Sequence, residues 1–246
     1  MSGEEAGRMG NTYTLTFVNN SNNNWDFCCY QEDPNIGTQD VMSLAWFAFP
    51  VASTTSVSFS WTIDYQLVWS QTGKLGAGVN FSASQKWDAD LTGNNGVDFT
   101  RKPNKAFTFE NLDSFDNSGT FYINQDGTIP ANTAAVGINM GIDGAPPGAG
   151  SGTFVVPAQP NITASFTPKP TYWVTFGKYV PGQVLDIQQI TAKAQVKFPA
   201  NVYDMFAILG PDNSWTIISQ QSLNTIYLES GSDADHALLT DMKLLR

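Results

Sequence analysis

The chain has 246 residues, 41% of them hydrophobic and 13% aromatic, and carries 22 acidic against 12 basic side chains for a formal charge of −10. A chain this long and this apolar can bury a core without disulfides or metals, which excludes a disordered polypeptide. Its acidic field repels phosphate, so no nucleic acid is expected as a partner, nor attachment to anionic lipid by charge alone.

Residues 1–10 read as a flexible leader. The opening Met1-Ser2-Gly3-Glu4-Glu5-Ala6-Gly7-Arg8 has no charged-then-apolar signal, which predicts cytoplasmic synthesis, with any export taking a non-classical route. No run approaches the ~18 apolar residues of a membrane helix. Tyr13, Leu15 and Phe17 then alternate with Thr14 and Thr16 as a strand that ends at Asn19-Asn20-Ser21. Sequons at Asn19, Asn80 and Asn161 reflect a composition rich in Asn, Ser and Thr rather than glycosylation. Cys28 and Cys29 are adjacent, and strand neighbours point to opposite faces, so a bridge between them would strain the peptide. They read as two half-buried thiols, with a redox switch as the other reading.

The strongest pattern lies at 54–69, where Val57, Phe59, Trp61, Ile63, Tyr65, Leu67 and Trp69 take successive odd positions and only Val68 breaks the polar alternate set. That is a two-residue period, and at about 3.3 Å per residue it would exceed roughly 40 Å if straight. A bend or bulge near Asp64, or two strands, is expected. After the loop 70–76, Val79, Phe81, Ala83, Trp87, Ala89 and Leu91 form a second apolar set, and the two runs pair as a hairpin with one wet face. Shorter strands are expected at Ala106–Glu110, Gly119–Asn124, Ala134–Gly141, Thr153–Val156 and Asn161–Thr167. Beyond Pro168 and Pro170 come Tyr172–Lys178, Gln183–Ile187, Ala194–Phe198, Asp204–Leu209 and Ser214–Ile218.

Together these predict an all-β fold, an antiparallel β-sandwich of jelly-roll or Ig-like two-sheet packing over residues 11–228. The likeness of Thr12-Tyr13-Thr14-Leu15-Thr16-Phe17 to Thr171-Tyr172-Trp173-Val174-Thr175-Phe176 admits two related halves with a boundary near 168–170. Residues 229–246 form a helical tail: Ser232-Asp233-Ala234-Asp235 reads as a capping box, and Leu238, Leu239, Met242 and Leu245 share a stripe.

No catalytic residue stands out. The one histidine, His236, lies in that tail, which starves nucleophilic and zinc mechanisms of a base or ligand. Asp88 and Asp90 share a strand face about 7 Å apart, a spacing that suits glycosidase chemistry but that any acidic outer face produces. No cofactor is expected, and calcium is the ion that Asp113, Asp116 and Asp126 in their turns could hold. The ligand candidates are Trp25, beside Asn23 and Asp26, and Trp173, which is out of phase with Tyr172, Val174 and Phe176.

Several segments resemble the RhiA family, the rhizosphere-expressed protein of rhizobia and its bacterial relatives. They are Val41-Met42-Ser43-Leu44-Ala45-Trp46-Phe47-Ala48, Thr54-Thr55-Ser56-Val57, Trp61-Thr62-Ile63-Asp64-Tyr65 and Val68-Trp69-Ser70-Gln71-Thr72-Gly73. Phe81-Ser82-Ala83-Ser84-Gln85, Gln125-Asp126-Gly127-Thr128-Ile129-Pro130 and Pro211-Asp212-Asn213-Ser214-Trp215-Thr216 extend the likeness over most of 12–218. The resemblance implies an abundant, regulated protein of host-associated or soil bacteria with no catalytic residues to carry over. The leading expectation is a non-catalytic binding or self-assembling protein, homo-oligomeric in the latter case, directed at a glycan or host surface. The alternatives are a membrane-active, pore-forming protein inserting an amphipathic hairpin at 54–91, and a carbohydrate-active enzyme.

Overall fold

The structure is a computed structural model that describes residues 11–32, 41–115, 119–140 and 148–229. The chain enters through β1 (Thr12–Asn19) and β2 (Trp25–Gln31), then β3 (Met42–Ser43), β4 (Phe47–Val51), β5 (Ser56–Thr62), β6 (Tyr65–Ser70) and β7 (Gln85–Ala89). Next come β8 (Gly96–Arg101), β9 (Phe107–Asp113), β10 (Phe121–Gln125), β11 (Ala135–Met140), β12 (Phe154–Pro157) and β13 (Ile162–Phe166). The last strands are β14 (Tyr172–Gly177), β15 (Lys193–Val196), β16 (Asp204–Leu209) and β17 (Trp215–Ser219), followed by the helix α1 (Gln220–Glu229).

The strands form four sheets, ordered β17-β16-β1-β5, β15-β14-β2-β4, β3-β12-β11-β6-β7 and β13-β10-β8-β9. Ring contacts identify which sheets face each other. Phe27 on β2 stacks on Phe17 and Phe59 of the first sheet, so the first two sheets make one sandwich. Tyr65 meets Phe121, and Trp69 meets Phe99 and Phe107, so the last two make another. The second sandwich is built mainly from 65–166 and is inserted between the N- and C-terminal strands of the first. One apolar core, from Leu15 and Phe17 through Trp46 and Trp61 to Tyr65, Met140 and Phe154, runs through both. The all-β, antiparallel-rich sandwich architecture expected from alternation is the observed fold, with two parallel pairs, β1 with β16 and β8 with β10.

The long alternating run is two strands, broken at Ile63-Asp64, where the Thr62 hydroxyl donates to the Asp64 carboxylate at 2.5 Å. The break sends β5 into the first sandwich and β6 into the second. Val68 spoils the alternation because β6 is covered on both sides: its outer face packs with Leu44, Leu75, Phe81, Ala135, Val155 and Val184. The second alternating run does not hold one face. Only Gln85–Ala89 is strand; Val79, Phe81 and Ala83 join that outer cluster, whereas Trp87, Ala89 and Leu91 pack on the main core. A kink divides them, with Ala83 N–H donating to the Ser151 hydroxyl and Ser84 N–H to the Trp69 carbonyl.

Gln183–Ile187 is not a strand. It belongs to a strap, residues 178–192, with a 3-10 turn at Ile187–Gln189. Val184 bridges Leu44, and Gln183 bridges Asn80, tying the strap to the five-stranded sheet of the second sandwich, while Leu185, Ile187 and Ile190 pack with Cys28, Tyr30 and Trp173 of the first. Gly182 (φ 79°) permits this approach: a Cβ there would lie 2.4 Å from the Phe81 carbonyl oxygen. β1 and β14, which carry the sequence echo, occupy facing sheets of one sandwich, and Pro168 and Pro170 lie on the return from β13 to β14.

A C-terminal helix is present, but it starts at Gln220, inside the stretch assigned to the β domain. Ser219 caps it, its hydroxyl accepting from Ser222 N–H at 3.1 Å, and Leu223 packs on Val18 and Ile208. The leader at 1–10, the capping box at 232–235, His236 and the leucine stripe lie outside the described residues.

Candidate functional site

At one end of the first sandwich the ends of β1, β4, β14 and β16 meet the starts of β2, β5 and β17, and three loops, 20–24, 52–55 and 210–214, form a polar rim. Asn19 is fully buried beneath it and uses its whole amide. Its nitrogen donates to the carbonyls of Asn23 (2.8 Å) and Val51 (3.0 Å), and its oxygen accepts from Ser21 N–H (3.0 Å) and the Ser21 hydroxyl (2.7 Å). The loops are then laced to each other. Ser53 N–H donates to Asn24 (2.7 Å), the Ser53 hydroxyl to the Ser21 carbonyl (2.6 Å), and the Asn23 amide to Asn213 (2.8 Å). Asp212 anchors the last loop by accepting from the Ser214 hydroxyl and N–H, and those bonds hold its carboxyl below the usual range. Asn-rich loops suit this job because an amide both donates and accepts, so a short loop can satisfy its own backbone.

Trp25 stands on this rim with 46% of its surface exposed, backed by Phe176 at a ring distance of 5.9 Å. Asp26 is the next residue, and its carboxylate accepts from Tyr179 N–H at 3.2 Å. The exposed residues Asn22 and Asn24 precede it in sequence. The structure thus places Trp25, Asn23 and Asp26 at one end and adds Asn213. It does not bring Trp173 to them. Trp173 pairs with Tyr30, about 17 Å along β2 from Trp25. Its out-of-phase position is explained by the strap: the ring packs beside Leu185, Ile187 and Ile190, and the Lys193 ammonium sits 4.6 Å over it.

The acidic candidates are dispersed. Asp126 accepts from Thr100 and Thr128 hydroxyls and Thr128 N–H. Burial, the largest influence, pushes its carboxyl up, but these bonds outweigh it and the group lies below its ordinary value. Asp113 pairs with Gly96, at the opposite end of β8 from the Thr100 that holds Asp126, and accepts from Ser114 N–H. Asp116 lies outside the described residues. Among the described residues, no three His, Cys, Asp or Glu side chains converge as a metal would require. Asp88 accepts from the Gln66 amide. Both oxygens of Asp90 are taken by its own turn, from Thr92, Gly93 and Asn94, and the Thr92 backbone and hydroxyl bonds lower its pKa most. These two carboxylates therefore do different jobs, one on a cross-strand pair and one inside a turn.

Cys28 and Cys29 are both fully buried and reduced, on opposite faces of β2. Burial raises both thiols, and for Cys28 the neighbouring Cys29 and Asp26 add to it. Alkylation of the native protein should be at least about a hundredfold slower than in denaturant at both positions. Thiol titration with and without denaturant checks this, and rapid native labelling of either cysteine would refute it.

Sequence reasoning missed a cleft of about 430 Å³ at the other end of the first sandwich, where it joins the second. Tyr13, Ile63, Tyr172, Val196 and Phe198 line it, with Gln195 and Lys197 among its polar residues. It is assembled from the start of β1, the residue after β5, the start of β14 and the end of β15, so no local motif announces it. Ile63, 38% exposed, continued an alternation that otherwise pointed inward.

The family model for RhiA matches residues 10–220 of this chain. "Protein RhiA" of Rhizobium leguminosarum bv. viciae is 36% identical over 218 residues, 87% of this chain and 90% of that protein. No solved structure matches. The match covers both sandwiches and the rim loops, and this chain belongs to the RhiA family.

Proposed function

We propose that this chain is a non-catalytic binding protein of a host-associated or soil bacterium, and that it takes a carbohydrate on the Trp25 rim. The observation that carries this reading is a large, half-exposed indole held on a cross-braced frame of amides. A sugar ring offers apolar C–H faces to an aromatic surface and hydroxyls to Asn and Asp side chains, so such a surface suits it. The frame is preorganised by the buried Asn19 amide, which lowers the ordering cost of binding. Titration against a broad glycan panel should find a ligand that Trp25→Ala weakens at least about tenfold, roughly 1.4 kcal/mol. Trp173→Ala should bind normally, since its ring is engaged by the strap and Lys193. Absence of wild-type binding across the panel would remove the carbohydrate reading.

The burial pattern favours this over membrane insertion. Phe59, Trp61, Leu67 and Trp69 belong to the shared core, and β5 and β6 sit in different sheets, so inserting 54–91 would dismantle both sandwiches. Dye release from liposomes tests that alternative directly.

A further inference from the structure

Sheet edges present unpaired N–H and C=O groups, and proteins guard them with charge, proline, brevity or cover. Most edges here are guarded. β4 carries Pro50, β7 carries Lys86 and Asp88, β9 carries Glu110 and Asp113, and β15 carries Lys193, ion-paired to Glu32. β3 has two residues, β13 is bracketed by Pro160 and Pro168, and α1 follows and packs against β17. Among the described strands, β5 is the exception. It is a seven-residue edge, Ser56-Val57-Ser58-Phe59-Ser60-Trp61-Thr62, inside a stretch from Val41 to Ile63 that contains no charged residue.

The outer surface beside this edge is a hydroxyl ladder. Thr14 bonds Ser60 (3.1 Å) and Thr16 bonds Ser58 (2.8 Å), while Ser56, Ser58 and Ser60 are exposed. The far half of the same sheet face, around Phe206 and Ile208, is covered by Leu223 of α1. We propose that two copies of the chain pair antiparallel through β5, joining their first sheets into one continuous sheet. The strand is self-complementary. Reversed on itself about Phe59, it sets Ser58 opposite Ser60 and Ser56 opposite Thr62 on the outer face, and Val57 opposite Trp61 on the inner. Charge points to the same occupant: copies carrying −10 each repel, so they meet most easily along an edge free of carboxylates. A two-fold axis consumes both edges and closes the assembly instead of propagating it.

The test is the oligomeric state of the full chain by sedimentation velocity, for wild type, S58K, S58E and their equimolar mixture. Position 58 faces solvent, so both variants should keep the wild-type far-UV spectrum. In this register the two position-58 side chains stand diagonal to each other across the axis, within reach of long side chains. Wild type should be a dimer. Each variant should weaken it at least about tenfold by like-charge repulsion, and the mixture should restore it. A wild type that stays monomeric at high micromolar concentration overturns the proposal. So does a dimer that both variants leave intact, or a mixture no tighter than either variant alone. Amide exchange of wild type gives a readout free of substitutions: protection across Ser56–Thr62 should fall on dilution, and concentration-independent protection counts against the pairing.

Discussion

Replacing Trp61 with alanine should cost about 3–5 kcal/mol of unfolding free energy and lower the melting temperature by roughly 10 °C. Trp61 is only 2% exposed, on β5 at the meeting of the two sandwiches. Its ring lies 5.1 Å from Trp46, 5.1 Å from Tyr172, 5.7 Å from Phe198 and 6.1 Å from Tyr13. Truncation removes the indole's transfer energy and leaves a cavity walled by rigid rings that cannot collapse into it. It also removes the indole N–H that donates to the Tyr172 hydroxyl at 3.1 Å. That hydroxyl passes its own proton toward the Met140 sulfur at 3.6 Å, and so links the first sandwich to β11 of the second. Burial raises the pKa of this phenol and so favours its protonated, donating form. Tyr172→Phe separates the contributions: it keeps the ring packing, loses the hydroxyl, and should cost only about 1 kcal/mol. Denaturant unfolding of both variants measures the difference, and equal losses would show that the ring cluster is not what holds the junction.

What alternation could reveal, it did. Val57, Phe59 and Trp61 point inward as their period requires, and the excess length of the run forecast the break at Asp64. Trp173 being out of phase signalled a second cover, and the strap supplies it. The failures share one cause: pairing between residues distant in sequence. Val184 and Leu185 are buried, as strand residues would be, but in a strap held by bridges from Val184 to Leu44 and Gln183 to Asn80 that no local window contains. Phe81 falls in register with Trp87 until Ser151, far along the chain, kinks the backbone between them. The parallel pairing of β1 with β16 is equally invisible, and it brings Asn213 to Asn23. Ser219 caps the helix in the structure, but the polar run Gln220-Gln221-Ser222 hid that helix from an apolar-periodicity reading. At the rim, the Asn cluster and Trp25 were visible in sequence; the frame that makes them a surface depends on three loops and was not.

Gly137→Ala should be as damaging as Trp61→Ala, through backbone instead of side-chain packing. Gly137 lies on β11, between Val155 of β12 and Val68 of β6, in the interior of the five-stranded sheet. A Cβ there would come within 2.0 Å of the Phe154 carbonyl oxygen and 2.9 Å of the Val155 Cα. Both are main-chain atoms, so no rotamer relieves the clash and β12 must move away from β11. That movement strains the ladder from Ala135–Pro157 to Ile138–Phe154, buried except at the half-buried Pro157, and the expected cost is at least about 3 kcal/mol. Gly76→Ala, with nothing within 4 Å of its new Cβ, should change stability by no more than about 0.5 kcal/mol. The two damaging variants also report on cooperativity, since one strikes each sandwich. Because a single apolar core passes from Phe17 through Trp46 and Trp61 to Met140 and Phe154, neither half has a boundary at which to unfold alone. Each variant should therefore melt in one transition followed identically by tryptophan fluorescence and far-UV dichroism. Two resolved transitions in Gly137→Ala would mean that the inserted sandwich is a separate folding unit and that the Trp61–Tyr172–Met140 link does not couple it to the first.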